Sequence, residues 1–405
     1  MSSLRVLILV AAVLACTGKG DSVHQQNSAR NSTVPHLYPV TINGKYGFID
    51  EFGNLKFMLP DDIYNVRGFA EGLAVIGRRV PNTHGRWGFV DHAGKIAIET
   101  KFSLAKTFSE GLAAVVVSEE KGSAGGKIGY IDKTGSFVIQ PQFEQGSVVI
   151  DYAFSEGLAA VPSRSHYWGY IDKTGKFVID ARFQEAFSFS EGRALVGVTE
   201  HSYTKPRYGF IDKQGRWIVE PQYVSAGDFS EGLAPVLIGR KVGFIDLQGQ
   251  IVIRPQFDPH GQCPDTGGIR ASRFSEGLAA VHVNYKWGFI DRSGQWMIKP
   301  TWTCALPFSH GLAVVATRDQ KGRFRYGYID KAGLTIIPPQ FSYAQPFTGR
   351  LAGIGLGGED DAALEALEAY KAGKSDDEVE KILERNQTKY GYIDRTGKLV
   401  WKPTN

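Results

Sequence analysis

Nine aspartates occupy equivalent positions in this 405-residue chain, and a glycine follows each of them three residues later. Carboxylates in series could bind calcium, which prefers oxygen ligands, but the Asp-x-Asp spacing of a calcium loop is absent. The spacing is typical of tight turns that Asp begins and a Gly at positive φ closes, so we predict structural turns and no metal site. The turn residues are Asp50 and Gly53, Asp91 and Gly94, Asp132 and Gly135, Asp172 and Gly175, Asp212 and Gly215, Asp246 and Gly249, Asp291 and Gly294, Asp330 and Gly333, and Asp394 and Gly397.

Other residues capable of catalysis are scattered. The nine histidines show no metal-ligand spacing, and the sequence contains neither a Gly-x-Ser-x-Gly elbow nor a phosphate-binding loop. His282 and His310 lie near Cys304 in the sequence, which alone does not make a nucleophilic site. We therefore expect no catalytic residues, no cofactor and no enzymatic activity.

Cys16 is the residue with the strongest chemical prediction. An apolar stretch from Val6 to Val13 follows Arg5 and is too short to span a bilayer, which is typical of a secretory signal peptide, here residues 1–15. Val13-Leu14-Ala15-Cys16 resembles the lipobox of bacterial lipoproteins, and this resemblance implies that Cys16 becomes the lipidated first residue. A plain cleaved signal is the alternative.

Residues 16–36 are polar and predict a flexible tether. Thr17 stands where an Asp would resemble an inner-membrane retention signal. We therefore expect an exported protein, lipid-anchored to the bacterial envelope at the outer membrane or the cell surface. An exported compartment permits a disulfide between the two remaining cysteines, Cys263 and Cys304, while free thiols are the alternative.

The turns belong to a repeat with a period near 40 residues. Each turn follows a segment such as Trp168-Gly169-Tyr170-Ile171-Asp172 and precedes a second strand that usually ends at Pro. A connector with Phe-Ser-Glu-Gly then leads into Leu-Ala-x-Val, a third strand. We predict an all-β domain over residues 37–405, built from nine three-stranded antiparallel meanders.

The connector glutamate recurs in six units. Because these residues occur beside glycines in a turn-like segment, we interpret them as partners of neighbouring backbone amides rather than as general acids. They are Glu71, Glu110, Glu156, Glu191, Glu231 and Glu276.

These motifs resemble the WG-repeat family, also called KWG repeats, from Leu37 to Asn405. The aromatic residue of the family name is Trp only at Trp87, Trp168 and Trp287, and Tyr, Ile or Val replaces it elsewhere, which indicates an apolar packing position. The resemblance implies binding or scaffolding and no general activity or ligand.

Nine units exceed the usual four to eight blades of a propeller, and the chain is not split within a unit. We therefore favour an open curved β array, with a propeller-like toroid as the alternative. The last unit contains a long insertion at about 358–386, whose pattern predicts a helical hairpin with Ser375 as an N-cap. It would be a docking element, an edge cap or a tolerated surface insertion.

Basic and acidic residues number 46 and 42, and neither sign forms a long block, so we expect no nucleic-acid partner. Aromatic residues at strand or loop positions could anchor peptides or stack on sugars. These are Trp217, Trp296, Trp302, Trp401, Tyr152, Tyr167, Tyr203 and Tyr285. The expected function is a non-enzymatic, envelope-anchored scaffold that binds proteins through its repeat face and variable loops. Carbohydrate or cell-wall binding is the alternative.

Overall fold

A computed structural model describes residues 36–402, apart from residues 82, 84, 119–125, 147–150, 200–204, 260–271, 358–368, 370–371, 373, 376–377 and 379–387. The predicted signal peptide and nearly all of the predicted tether therefore lie outside the described residues. The described chain is all-β, as predicted, and forms nine antiparallel sheets, which we call blades 1 to 9 in chain order.

The strands divide among the blades as follows. Blade 1 contains β1 (Tyr38–Ile42), β2 (Lys45–Ile49) and β3 (Leu55–Met58). Blade 2 contains β4 (Ile63–Ala70), β5 (Leu73–Arg78), β6 (Arg86–Asp91) and β7 (Ile96–Phe102). Blade 3 contains β8 (Leu104–Ala105), β9 (Ala113–Ser118), β10 (Gly126–Ile131) and β11 (Phe137–Glu144). Blade 4 contains β12 (Ala159–Pro162), β13 (Trp168–Ile171) and β14 (Phe177–Phe183). Blade 5 contains β15 (Glu185–Ala186), β16 (Ala194–Val198), β17 (Arg207–Ile211) and β18 (Trp217–Tyr223).

The second half of the chain repeats this order. Blade 6 contains β19 (Leu233–Ile238), β20 (Lys241–Asp246) and β21 (Ile251–Phe257). Blade 7 contains β22 (Phe274–Ser275), β23 (Leu278–Val283), β24 (Lys286–Ile290) and β25 (Trp296–Trp302). Blade 8 contains β26 (Cys304–Ala305), β27 (Ala313–Arg318), β28 (Phe324–Ile329) and β29 (Thr335–Phe341). Blade 9 contains β30 (Tyr343–Ala344), β31 (Ala352–Leu356), β32 (Lys389–Ile393) and β33 (Leu399–Trp401).

Six blades have a fourth strand that the sequence did not predict. The extra strand precedes the meander, lies in the connector and pairs with the first meander strand, as β8 pairs with β9. It is only two residues long in every blade except blade 2, where β4 spans eight residues. The prediction of three-stranded units is therefore correct for the meander and incomplete for the blade, because a two-residue strand leaves no periodic pattern in the sequence.

Burial within one blade explains why the blades must stack. In blade 3, β9 and β10 are apolar along most of their length, and both of their faces are buried. β11 alternates instead, with Ile139 and Phe143 buried and Val138 exposed. A strand that is buried on both faces needs a neighbouring layer on each side, so the blades supply one another's core.

An aromatic pair joins each blade to the next. The residue after Gly in the second meander strand packs against an aromatic residue at the start of the next blade, with ring centroids 4.8–5.4 Å apart. The pairs are Phe48–Phe69, Phe89–Phe108, Tyr130–Phe154, Tyr170–Phe189, Phe210–Phe229, Phe244–Phe274, Phe289–Phe308, Tyr328–Phe347 and Tyr392–Tyr38. The ninth pair connects blade 9 to blade 1, so the blades form a ring.

Hydrogen bonds close the same interface. The hydroxyl of Tyr38 donates to the carbonyl of Thr348 at 2.7 Å and accepts the N–H of Arg350 at 3.2 Å. The hydroxyl of Tyr392 donates to the carbonyl of Pro39 at 2.8 Å. The preferred prediction of an open array is therefore wrong, and the alternative, a propeller-like toroid, is confirmed. Closure needs no split blade because side chains, rather than strand pairing, join the first and last blades.

The predicted helical hairpin at 358–386 lies almost entirely outside the described residues, and the all-β architecture gives it no support. Ser375 and Glu378, which are described, exchange hydrogen bonds: the amide and hydroxyl of Ser375 donate to the Glu378 carboxylate, and the amide of Glu378 donates back to the Ser375 hydroxyl. This contact is local and does not establish two packed helices.

We predict that Tyr38→Phe will lower the free energy of unfolding by about 1–3 kcal/mol, because Thr348 and Arg350 lose their partner in a half-buried interface. Chemical denaturation measures the change. Tyr46→Phe is the matched control, since Tyr46 lies half-buried in β2 of the same blade and its hydroxyl makes no hydrogen bond with any described residue. Equal effects of the two substitutions would contradict closure through the Tyr38 hydroxyl.

Two turn glycines separate backbone strain from packing between blades. Gly157 and Gly175 have φ values of 86° and 85°. A Cβ on Gly157 would meet no atom within 4 Å, whereas a Cβ on Gly175 would lie 2.7 Å from Cγ2 of Ile139 in blade 3. We expect Gly157→Ala to cost about 1 kcal/mol from the positive φ alone. Gly175→Ala should lower the free energy of unfolding clearly more in the same experiment. Equal losses would show that the Ile139 side chain moves aside without a measurable cost.

Candidate functional site

The ring has two different faces. The Asp-x-x-Gly turns and the Ser-Glu-Gly turns lie together on one, as the ion pair between Lys133, beside the turn Asp132, and Glu71 shows. We call this the turn face. The hairpins between the first and second meander strands lie at the opposite end of every blade, and we call that end the hairpin face. The length variation of the repeat occurs mainly in these hairpins.

The aspartate carboxylates of the turn face accept hydrogen bonds within the protein. Each of the nine turn aspartates accepts the backbone amides two and four residues later, as Asp50 does from Phe52 and Asn54, both at 2.9 Å. A further hydrogen bond from the Thr134 hydroxyl holds the pKa of Asp132 below its usual value. The turn glycines have φ values between 75° and 85°. These carboxylates are engaged within their own turns.

The connector glutamates link successive blades. Each adopts a positive φ of 51–54°, a strained conformation for a residue with a Cβ. Its carboxylate accepts the amide of the corresponding glycine in the next blade, at 2.8–3.1 Å. For example, Glu110 binds the amide of Gly157, and Lys173 of that next blade binds Glu110 at 3.2 Å. This confirms that the glutamates bind backbone amides, but the amide belongs to the next blade rather than to neighbouring residues in the chain.

His310 takes the place of the glutamate in blade 8. Its Nδ1 lies 3.0 Å from the carbonyl of Phe347, and its Nε2 lies 3.1 Å from the amide of Gly349 in blade 9. The carbonyl must accept and the amide must donate, so the imidazole carries its proton on Nδ1. A neutral histidine thus replaces the acceptor role of the carboxylate.

The hairpin face, in contrast, is basic. Every one of the nine hairpins carries Lys or Arg among its described residues, whereas the described acids there are Asp319 and, in the blade 9 insertion, Glu378. The basic residues at the hairpin tips are Lys45, Arg78, Arg79, Arg86, Lys127, Arg164, Lys205, Arg207, Arg240, Lys241, Lys286, Arg318, Lys321, Arg323, Arg325 and Lys389. Among the described residues, the hairpin tips are therefore more basic than the rest of the ring.

Some of these cations are neutralised locally. Acids of the neighbouring connectors bind Lys45, Arg78, Lys127 and Lys241, and Asp319 binds Arg323 and Arg325. Seven others are exposed, and their side chains make neither an ion pair nor a hydrogen bond with any described residue. They are Arg79, Arg164, Lys205, Arg240, Lys286, Lys321 and Lys389, and they belong to seven different blades. We call these seven residues the free cations.

Three tyrosines project from the same hairpins. Tyr167 is 43% exposed, Tyr285 77% and Tyr390 59%. Tyr285 also has a φ of 62°, at a hairpin position where glycine is the usual residue. Backbone strain at an exposed aromatic residue suggests that the ring, rather than local stability, determines the choice of Tyr.

The other predicted surface aromatics are less accessible. Tyr152 is only 2% exposed, so its predicted exposure is wrong: it stacks on Trp168 at 5.9 Å. Trp217, Trp302 and Trp401 are half-buried, Trp296 is 38% exposed, and Tyr203 lies outside the described residues. The aromatics that remain accessible at the hairpin tips are therefore few.

A buried polar cluster lies beneath Tyr285. His282 is 5% exposed, and its Nδ1 lies 3.9 Å from a carboxylate oxygen of Asp258. Among the described residues, neither ring nitrogen of His282, nor Nε1 of Trp287, finds a hydrogen-bond partner. Burial lowers the pKa of His282, which Asp258 opposes.

Two surface depressions of the described chain are shallow. One of about 370 Å³ lies between blades 5 and 6 and is lined by residues such as Arg207, Tyr223 and Ile251. The other, of about 330 Å³, lies at the closing interface and is lined by Glu51, Arg350 and neighbouring residues. Neither combines a nucleophile with a general base.

Of the cysteines, the structure describes Cys304 alone. Cys304 is buried and disulfide-bonded. Cys263, its predicted partner, lies outside the described residues, as does Cys16, so the pairing and the lipidation stay predictions. Within the described ranges, no group of His, Cys, Asp and Glu could hold a metal ion, and no helix there is long and apolar enough to cross a membrane.

Sequence reasoning missed the basic hairpin face. Its cations occur singly or in pairs some 40 residues apart, so they form no run in the chain. The sequence does contain a signal for this face, which is the position of the basic residues within the repeat. Lys or Arg recurs between the Leu-Ala-x-Val strand and the aromatic-Gly motif in every unit. Only alignment of the units on their strands brings these residues together.

Solved structures similar to this chain have low sequence identity to it, and the first of the three below shares its fold. A structure described as that of the eukaryotic initiation factor is 12% identical, covers 91% of this chain and 95% of its own, and has a TM-score of 0.58. BamB from Moraxella catarrhalis is 14% identical, with 72% and 92% coverage and a TM-score of 0.42. A protein of unknown function from Bacteroides caccae is 14% identical, with 75% and 93% coverage and a TM-score of 0.28. No curated protein matches the sequence significantly.

The family described as "WG containing repeat" matches more than half of the chain, and its matches follow the blades from the second to the ninth. The matched segments are residues 87–119, 128–161, 168–198, 208–241, 243–258, 270–287, 287–319 and 326–358. The nine-bladed ring of aromatic-paired meanders is therefore a WG-repeat β-propeller, and the chain belongs to the WG-repeat family.

Proposed function

We propose that the protein is a non-enzymatic scaffold, anchored to the bacterial envelope through Cys16, that binds another protein at its hairpin face. The observation that carries this proposal is the contrast between the two faces. Carboxylates of the turn face are engaged within turns and between blades, whereas the hairpin face presents exposed cations that pair with no described acid, together with exposed tyrosines. Repeat proteins concentrate binding variation in loops of this kind on one face.

A broad, shallow surface suits a protein partner. The free cations belong to seven blades, and Tyr167, Tyr285 and Tyr390 to three, so contacts would be spread over much of the ring. Exposed tyrosines and arginines are residue types that interfaces favour. Carbohydrate or cell-wall binding is the second candidate, because the same three tyrosines could stack on sugar rings.

Anchoring is compatible with the position at which the chain enters the ring. Residues 36–38 lie at the turn face, where Tyr38 meets Thr348 and His36 packs against Tyr38 at 4.6 Å. The attachment point of the predicted tether is thus on the face opposite the hairpins. A partner could then occupy the hairpin face without crossing the tether's point of attachment.

We expect mass spectrometry of the protein, expressed in a cell that processes lipoproteins, to find an acylated Cys16 as the first residue. Cys16→Ser is the control, and it should leave an unacylated protein. If the wild-type chain is cut near residue 16 but carries no acyl group, the protein is a soluble exported binder and the lipid anchor is ruled out. An uncut chain would remove the envelope location altogether.

Site-specific photo-crosslinking tests the binding face. A photoreactive amino acid at Tyr167, Tyr285 or Arg240 of the hairpin face should yield a discrete crosslinked protein in living cells. The same amino acid at Ala93 or Ala332, exposed in turns on the opposite face, provides the matched control. Crosslinks from the turn positions alone, or from neither face, would contradict the proposal.

A further inference from the structure

We propose that the hairpin face recognises its partner electrostatically, and that the docking surface of the partner is an acidic protein surface rich in Asp and Glu. This inference rests on the proposed function, since it assigns the chemistry of the same face. The free cations supply the attraction, and no described acid neutralises them within ion-pair distance. Charge complementarity of this kind speeds association and rejects wrong partners.

Acids on this side of the blades pair with some of the cations, both exposed ones such as Lys45 and partly covered ones. Lys127 is 33% exposed and pairs with Glu144, and Arg325 is 18% exposed and pairs with Asp319. Cations that extend fully into solvent, such as Arg164 and Arg240, are left unpaired. Because surface charges within about 10 Å of each other reinforce one another in physiological salt, free cations on neighbouring blades add to one local positive potential.

The geometry favours a folded acidic surface over a nucleic acid. A nucleic acid needs a positive groove that follows its backbone, with aromatic rings close enough to stack on successive bases. Neighbouring blades lie on the order of 10 Å apart, so tyrosines on blades 4, 7 and 9 cannot stack on adjacent bases. Of the basic tip residues, only Arg207 lines the depression on this side of the ring. A protein surface can meet separate tips simultaneously.

The segment between Gly357 and Thr388, most of which lies outside the described residues, is itself rich in Asp and Glu. Its net negative charge would weaken the binding of an acidic partner rather than create it. The test therefore uses the full processed chain. The probe is a fluorescently labelled poly-glutamate peptide, and its dissociation constant is measured by anisotropy at low and at physiological salt.

We expect the wild-type protein to bind this peptide at low salt and to bind it more weakly at physiological salt. The variant Arg164→Gln, Arg240→Gln, Lys286→Gln should weaken binding by about tenfold, because three exposed charge pairs are removed. The variant Lys95→Gln, Lys176→Gln, Lys398→Gln removes the same charge from exposed positions beside the turn glycines. It should bind within about twofold of wild type.

Equal losses in the two variants would overturn the assignment to the hairpin face, because the effect would then follow net charge alone. Tighter binding of a DNA duplex than of the peptide would overturn the acidic-protein assignment. So would the absence of peptide binding at any salt concentration. If the hairpin crosslinks persist in the Arg164, Arg240 and Lys286 variant, electrostatic recognition fails while the proposed function stands; if wild type gives no hairpin crosslink, the proposed function itself fails.

Discussion

Each blade is a small sheet whose central strands are apolar on both faces, and no blade can bury those faces by itself. The aromatic pair at every interface resolves this problem, because the ring after the motif glycine inserts against an aromatic residue of the next blade. Covering one face of a blade leaves the next face exposed until the series closes. Closure into a ring is therefore the arrangement that covers all nine blades and leaves no terminal one exposed.

Charged residues of the turn face also hold neighbouring blades together. On the turn face, a carboxylate of one blade binds an amide of the next, and in four interfaces a lysine of that blade binds the same carboxylate. These groups orient the blades and are then no longer available to a ligand. The hairpin tips lie beyond the paired strands, so interblade packing does not constrain them. Their length and charge can vary without disturbing the ring, as is usual for loops that bind partners.

The closing interface departs from the others in two ways. The ring against Tyr392 comes from Tyr38 in the first meander strand of blade 1, and the Tyr38 hydroxyl binds Thr348 and Arg350, which joins blade 9 directly to blade 1. The charges are also reversed: Arg350 of the blade 9 turn lies 3.6 Å from Glu51, whereas at four other interfaces the turn is acidic and its partner is lysine. Arg350 would meet like charge against a blade of the regular type. This interface thus favours pairing of the last blade with the first.

The repeat period, the strand pattern and the Asp-x-x-Gly turns determined the meander and the all-β class, because these features depend on residues close together in the chain. The structural role of glutamates such as Glu110 followed from their recurrence beside glycine in a turn. Ring closure did not follow, since it depends on how Tyr38 and Tyr392 meet across some 350 residues. Burial of Tyr152 and the gathering of single cations such as Arg164 and Arg240 on one face were likewise decided by packing. Side chains that are distant in sequence become neighbours only when the blades assemble, so only the tertiary structure revealed the candidate binding face.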